Sequence, residues 1–84
     1  MYEIIYSDSA LKQLDKLNNQ TRERIINAVE RLRMRPYEYN LKKLVGITGY
    51  RLRVGDYRVI LDIDNNKLII LVLKVGHRKN IYDS

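Results

Sequence analysis

The sequence predicts an α+β fold, a helical hairpin packed on one face of an antiparallel meander sheet, in the order β-α-α-β-β-β. Three observations predict it. The first six residues and three segments after Gly49 alternate in polarity, the period of a half-buried strand. Two stretches before Pro36 repeat apolar residues at helical spacing. The connections Asn18-Asn19, Gly55-Asp56 and 64–67 are short enough to require antiparallel neighbours.

Each element follows from its residues. In Met1 to Tyr6, Tyr2, Ile4 and Tyr6 point one way, Glu3 and Ile5 the other. Ser7 has the chemistry of a helix N-cap, and Asp8 sits in the first turn, where the helix dipole favours an anion. Ala10, Leu14 and Leu17 form a narrow stripe with Leu11 beside it. Asn18-Asn19 ends that helix and caps the next. Ile25, Ala28, Val29 and Leu32 then stand at i, i+3, i+4 and i+7, with Arg24, Asn27, Arg31 and Arg35 opposite. Pro36 stops the second helix, and residues 36–49 are expected as a loop. Three strands follow: Tyr50 to Val54, Tyr57 to Ile63, and the very apolar Leu68 to Val75.

Eighty-four residues make one expected domain, 1–84, just above the size at which a single core struggles to stabilise a chain. There is no cysteine and one histidine, which excludes disulfides, thiolate metal sites and histidine-rich zinc sites. No metal or cofactor is expected. The longest apolar run, Leu68 to Leu73, is too short to cross a bilayer, and the N-terminus lacks signal-peptide features. A cytoplasmic protein is expected. Sixteen Lys and Arg against ten Asp and Glu give +6, which favours nucleic acid, ribosomes or an acidic partner.

The placement of charge says more than its sum. If Gly55-Asp56 is a two-residue turn, Val54 faces Tyr57, Arg53 faces Arg58, and Arg51 faces Ile60. Tyr50, Leu52, Val54, Tyr57, Val59, Leu61 and Ile63 then share the core face, and Arg51, Arg53 and Arg58 the other. Like charges directly opposed destabilise a strand pair by about 0.2–1 kcal/mol. Selection for stability alone would set a carboxylate there. Arg78 joins from the end of the last strand, in Val75-Gly76-His77-Arg78-Lys79-Asn80-Ile81-Tyr82. An uncovered cationic face suits phosphates.

Gly49 to Ile60, Val75 to Arg78 with Tyr82, and the Ser7-to-Leu17 helix with its basic successor together resemble the RelE/ParE toxin superfamily of type II toxin–antitoxin systems, over essentially the whole chain. The resemblance implies a β-α-α-β-β-β toxin with a cognate antitoxin protein as partner and DNA bound only through that complex. The superfamily divides. RelE-like members are mRNA interferases that cleave mRNA in the ribosomal A site, inhibiting translation. ParE-like members inhibit DNA gyrase without nuclease chemistry. RelE-like sites use basic residues on the second and third strands of the motif, an arginine after the last strand and a C-terminal tyrosine. By position these are Arg51, Arg53, Arg58, Arg78 and Tyr82, so the resemblance implies the RelE-like, endoribonuclease branch. Some members carry lysines where Arg51 and Arg53 stand.

The implied reaction is metal-independent attack by the RNA 2′-OH on its own phosphate. Arg58 and Arg78 suit charge stabilisation, and Arg51 and Arg53 suit positioning of the backbone. His77 is the one side chain of a type that titrates near neutrality unperturbed. Tyr82 suits stacking or proton transfer. The resemblance leaves His77 optional, and the proton carrier stays open between them. Lys42, Lys43, Lys74 and Lys79 are expected to bind RNA. A gyrase inhibitor and a non-catalytic RNA-binding module remain the competing readings.

Overall fold

The structure, a computed structural model, describes residues 1–39 and 41–81. Strand β1 (Glu3–Tyr6) leads into helices α1 (Asp8–Asp15) and α2 (Asn19–Glu30), the latter running on into a 3-10 turn at Arg31–Arg33. A second 3-10 turn, Pro36–Glu38, precedes β2 (Leu41–Lys43), β3 (Tyr50–Val54), β4 (Tyr57–Asp64) and β5 (Ile69–His77). Both helix starts are capped as their sequences require. Ser7 Oγ accepts from the Ala10 amide at 3.0 Å and Asn18 Oδ1 from the Thr21 amide at 2.8 Å.

The sheet order is β1-β5-β4-β3-β2. The α+β class and the helix-covered face agree with expectation; one feature of the sheet corrects it and another adds to it. Residues 41–43, expected inside a loop, form a short edge strand antiparallel to β3. The meander β3-β4-β5 is antiparallel as expected, and β1, whose pairing the sequence left open, makes the sheet mixed by pairing parallel to β5, Ile4 opposite Ile70 and Tyr6 opposite Val72. The helical hairpin between β1 and the later strands supplies the long connection that parallel pairing needs.

One hydrophobic cluster lies between helices and sheet. Ala10, Leu14, Ile25, Val29 and Leu32 meet Leu52, Val54, Val59, Leu61, Ile70, Val72 and Val75, all buried. The last strand reaches this packing through a bulge. Leu61 pairs with Val72 but Ile60 pairs with Lys74, so Leu73 is the extra residue. The bulge lets Val72 and Val75 both face the core and turns Lys74 and Gly76 outward. Its freed backbone groups are satisfied from α1 and the residue before it. Ser7 Oγ donates to the Leu73 carbonyl at 2.9 Å, and Gln13 Oε1 accepts from the Val75 amide at 2.6 Å.

Ser7 thus both caps α1 and ties it to the bulge. Ser7→Ala should cost about 2 kcal/mol, the sum of a cap and one hydrogen bond. Asn18→Ala, a cap alone, should cost about 1 kcal/mol. Urea midpoints at unchanged slope measure both, and equal losses would show that the Leu73 bond adds nothing.

Candidate nucleic-acid interface

Among the described residues, no helix covers the second face of the sheet, and the register arranges its side chains in rows. Lys42 of β2 lies opposite Arg51 of β3, Arg51 opposite Ile60 of β4, and Ile60 opposite Lys74 of β5. In the next row Arg53 opposes Arg58, and Arg58 opposes Gly76. The two-residue turn that sets this register needs a left-handed residue, and Gly55 supplies it at φ 58°.

Ile60 is 8% exposed although it faces away from the helices and stands outside the core cluster. Long cationic side chains flank it in its row, and their aliphatic stems are suited to cover such a residue. Beside it an open groove of about 320 Å³ is lined by Leu41, Lys42, Arg51 and Arg53. The groove sets one apolar wall, Leu41, against three cationic side chains, which suits the phosphate and base of a nucleotide.

Arg58 is anchored at the hairpin turn. Its Nη1 donates to the Gly55 and Tyr57 carbonyls, each at 2.9 Å. Partial desolvation, then the charges of Arg53, Arg51 and Arg78, hold its pKa below the ordinary arginine value, with Asp56 acting the other way. It stays cationic at any physiological pH. The charges of Arg53, Arg51 and Arg78 repel that of Arg58, and a phosphate bound there would offset the repulsion. Arg78 stands at the same rim. Its amide donates to the Asp56 carbonyl at 2.8 Å, and its Nε lies 3.9 Å from Asp56 Oδ1.

The other sequence-expected residues divide. Lys42 and Lys74 lie on the arginine face, and Lys79 is exposed in the turn after β5. Lys43 pairs with Tyr50 on the opposite side of the sheet and lines a different hollow with the 44–49 loop. His77 also falls on the helix side. It pairs with Tyr57, the two rings meet edge to face at 5.4 Å, and its Nδ1 accepts from the Lys79 amide at 3.2 Å. Tyr82 lies outside the described residues. Its predecessor Ile81 folds back over Gly76, where an added Cβ would meet Ile81 Cγ1 at 2.9 Å. Gly76 is the register partner of Arg58, so the Ile81 contact lies beside the arginines.

The far half of the same face differs. Ile5, Ile69 and Leu71 line a hollow of about 290 Å³ with Asp62, Asp64 and Lys67. Among the described residues there is no cluster of three or more His, Asp or Glu that could hold a metal ion. No helix among them is long and apolar enough to cross a membrane. Ile60, the Leu41 wall and the Gly76–Ile81 contact were missed by sequence reasoning. The signal for Ile60 was available in part, since it alternates onto the arginine face opposite Arg51.

Comparison with known proteins agrees with this architecture. The archaeal RelE–RelB complex from Pyrococcus horikoshii OT3 contains a chain that superposes with a TM-score of 0.79 at 27% identity, covering 95% of this chain and 98% of that one. The toxin–antitoxin complex RelBE2 from Mycobacterium tuberculosis gives 0.82 at 25% identity, covering 92% and 98%. Toxin RelE3 of Methanocaldococcus jannaschii is 28% identical over 86 residues, 96% of each chain. The family described as ParE toxin of type II toxin-antitoxin system, parDE, matches residues 4–82. With residues 4–82 matched and the fold shared over nearly the whole length, the chain belongs to this family and is a toxin of a type II toxin–antitoxin system of the RelE/ParE superfamily.

Proposed function

We propose that this toxin is a ribosome-dependent endoribonuclease, an mRNA interferase that cuts mRNA in the ribosomal A site. The observation that carries the reading is the opposition of Arg53 and Arg58 on a sheet face that no helix among the described residues covers, with Arg51, Lys42, Lys74 and Arg78 around them. In the reaction, the 2′ oxygen attacks the adjacent phosphorus and the bond to the 5′ oxygen breaks. This leaves a 2′,3′-cyclic phosphate and a 5′-hydroxyl. A base must take the 2′-OH proton and an acid must return one to the leaving oxygen. Arg58 and Arg78 stabilise the charge that develops on the phosphate, and Arg51 and Arg53 hold the backbone in line. Tyr82 is the proposed tyrosine beside the scissile bond.

A cognate antitoxin is the proposed partner, since the similar structures are RelE–RelB and RelBE2 complexes. A cytoplasmic location and contact with DNA only through that complex belong to the same reading. Toe-printing of a translated mRNA with and without the protein tests it. Cuts in register with codons are expected. A ParE-like gyrase inhibitor, the reading favoured by the name of the matching family, would leave the mRNA whole and inhibit supercoiling instead.

The face should also bind free single-stranded RNA. Affinity should fall with salt at a log–log slope of about −0.7 per phosphate contact, so about −2 to −3 for three or four engaged arginines. A flat dependence would show that the basic face is not the binding surface.

A further inference from the structure

The hairpin tip between β3 and β4 is held from two sides. On the open face, Arg58 Nη1 donates to the Gly55 carbonyl at 2.9 Å. From the helical layer, Arg24 of α2 lies against the same glycine. A Cβ built on Gly55 would stand 3.0 Å from Arg24 Nη1 and 3.2 Å from both Cζ and Nη2. Three guanidinium atoms at nearly one distance mean that the group lies flat on the turn. Gly55 is thus required twice, for its left-handed φ and for the approach of a guanidinium where any side chain would stand.

Three other arginines of the helical layer have partners of their own; Arg31, like Arg24, has none among the described residues, and what sets Arg24 apart is its place against Gly55. Arg22 donates to the Leu14 and Leu17 carbonyls, Arg33 pairs with Glu30, and Arg35 pairs with Glu38. Arg24 makes no ion pair or hydrogen bond among the described residues, and it remains exposed. Its charge rests on Gly55, the residue whose carbonyl Arg58 holds from the open face. Ordering a long side chain costs about 1.5–2 kcal/mol of rotamer entropy, and here no carboxylate offsets it. The result is a pre-oriented planar donor set with its N–H groups unused, at the end of a cationic track.

We infer that Arg24 is a phosphate-binding residue for single-stranded RNA, carrying the track from the open face around the β3–β4 tip onto the helical layer. The inference rests on the RNA reading of that face. The test is fluorescence anisotropy of a short, labelled single-stranded RNA with 2′-O-methyl sugars, titrated over a range of salt. Wild type, Arg24→Ala, Arg24→Lys and Arg53→Ala are compared, with melting temperatures for each. Arg24→Ala should bind several-fold more weakly and lose about 0.7 from the magnitude of the log–log slope. Arg24→Lys should recover the slope. An Arg24→Ala protein with wild-type slope and affinity, beside an Arg53→Ala protein that has lost slope, overturns the Arg24 site alone, and a lowered melting temperature would then mark it as a clamp on the turn. No binding by wild type, or no change in either variant, strikes the RNA reading itself and the inference with it.

Discussion

Arg58→Ala is expected to slow mRNA cleavage on programmed ribosomes by about 10²–10³-fold, the usual cost of removing one donor aimed at developing negative charge. Arg58 is the residue to test first because it is the meeting point of the face. It opposes Arg53 across the hairpin and Gly76 across β5, and the charges of Arg53, Arg51 and Arg78 all reach it. Folding should survive. The substitution gives up two hydrogen bonds to turn carbonyls, but it also relieves repulsion from three neighbouring cations. Single-turnover cleavage and a thermal melt on the same preparation separate the two effects. Arg58→Lys should recover part of the rate, since it restores the charge without the planar fork. Wild-type cleavage by Arg58→Ala would remove it from the site.

The parts of this face that could be read from sequence are those fixed by local chemistry. Gly55-Asp56 dictates a two-residue turn. From that turn alone the pairing of Arg53 with Arg58, Arg51 with Ile60 and Val54 with Tyr57 follows, and the register agrees. The helix caps at Ser7 and Asn18 are equally local. What escaped depends on distant partners. Strand β2 is three residues with two lysines, and nothing in Leu41-Lys42-Lys43 demands a strand until Tyr50, Arg51 and Leu52 lie beside it. The parallel pairing of β1 joins residues more than sixty positions apart, and no turn encodes its register.

The bulge at Leu73 misleads most. Strict alternation from Leu71 would carry Leu73, Val75 and His77 onto the open face and send Lys74 and Gly76 into the core. Lysine in the core is the contradiction that signals the extra residue. With the bulge in place Val75 is buried, Lys74 is exposed on the arginine face, and His77 moves to the helix side against Tyr57. A charged residue at core parity is a usable sign of a bulge in a strand otherwise this apolar.

That shift decides the second large prediction. Tyr82→Ala should lower cleavage by about 10²-fold, whereas His77→Gln should leave it nearly unchanged. His77 is on the other side of the sheet from Arg51, Arg53 and Arg58, with one ring nitrogen already occupied by the Lys79 amide. Tyr82 follows Ile81, whose side chain packs on Gly76, the register partner of Arg58. Tyr82→Phe separates two roles for the tyrosine. Stacking on a base is worth about 1–3 kcal/mol by alanine substitution and survives in phenylalanine. Proton transfer by the hydroxyl is worth about 10²–10⁴-fold and does not. Gly76→Ala gives an independent handle, because its Cβ would push on Ile81 and shift the approach to Tyr82, so it should reproduce part of the Tyr82→Ala loss. The arginine face itself would stay intact in that variant, and RNA affinity should hold while the cleavage rate falls. A Tyr82→Ala protein that cuts at the wild-type rate would leave the arginines as a binding surface alone. Cleavage abolished by His77→Gln would require the β5 terminus to rearrange on the ribosome, turning the imidazole over to the open face.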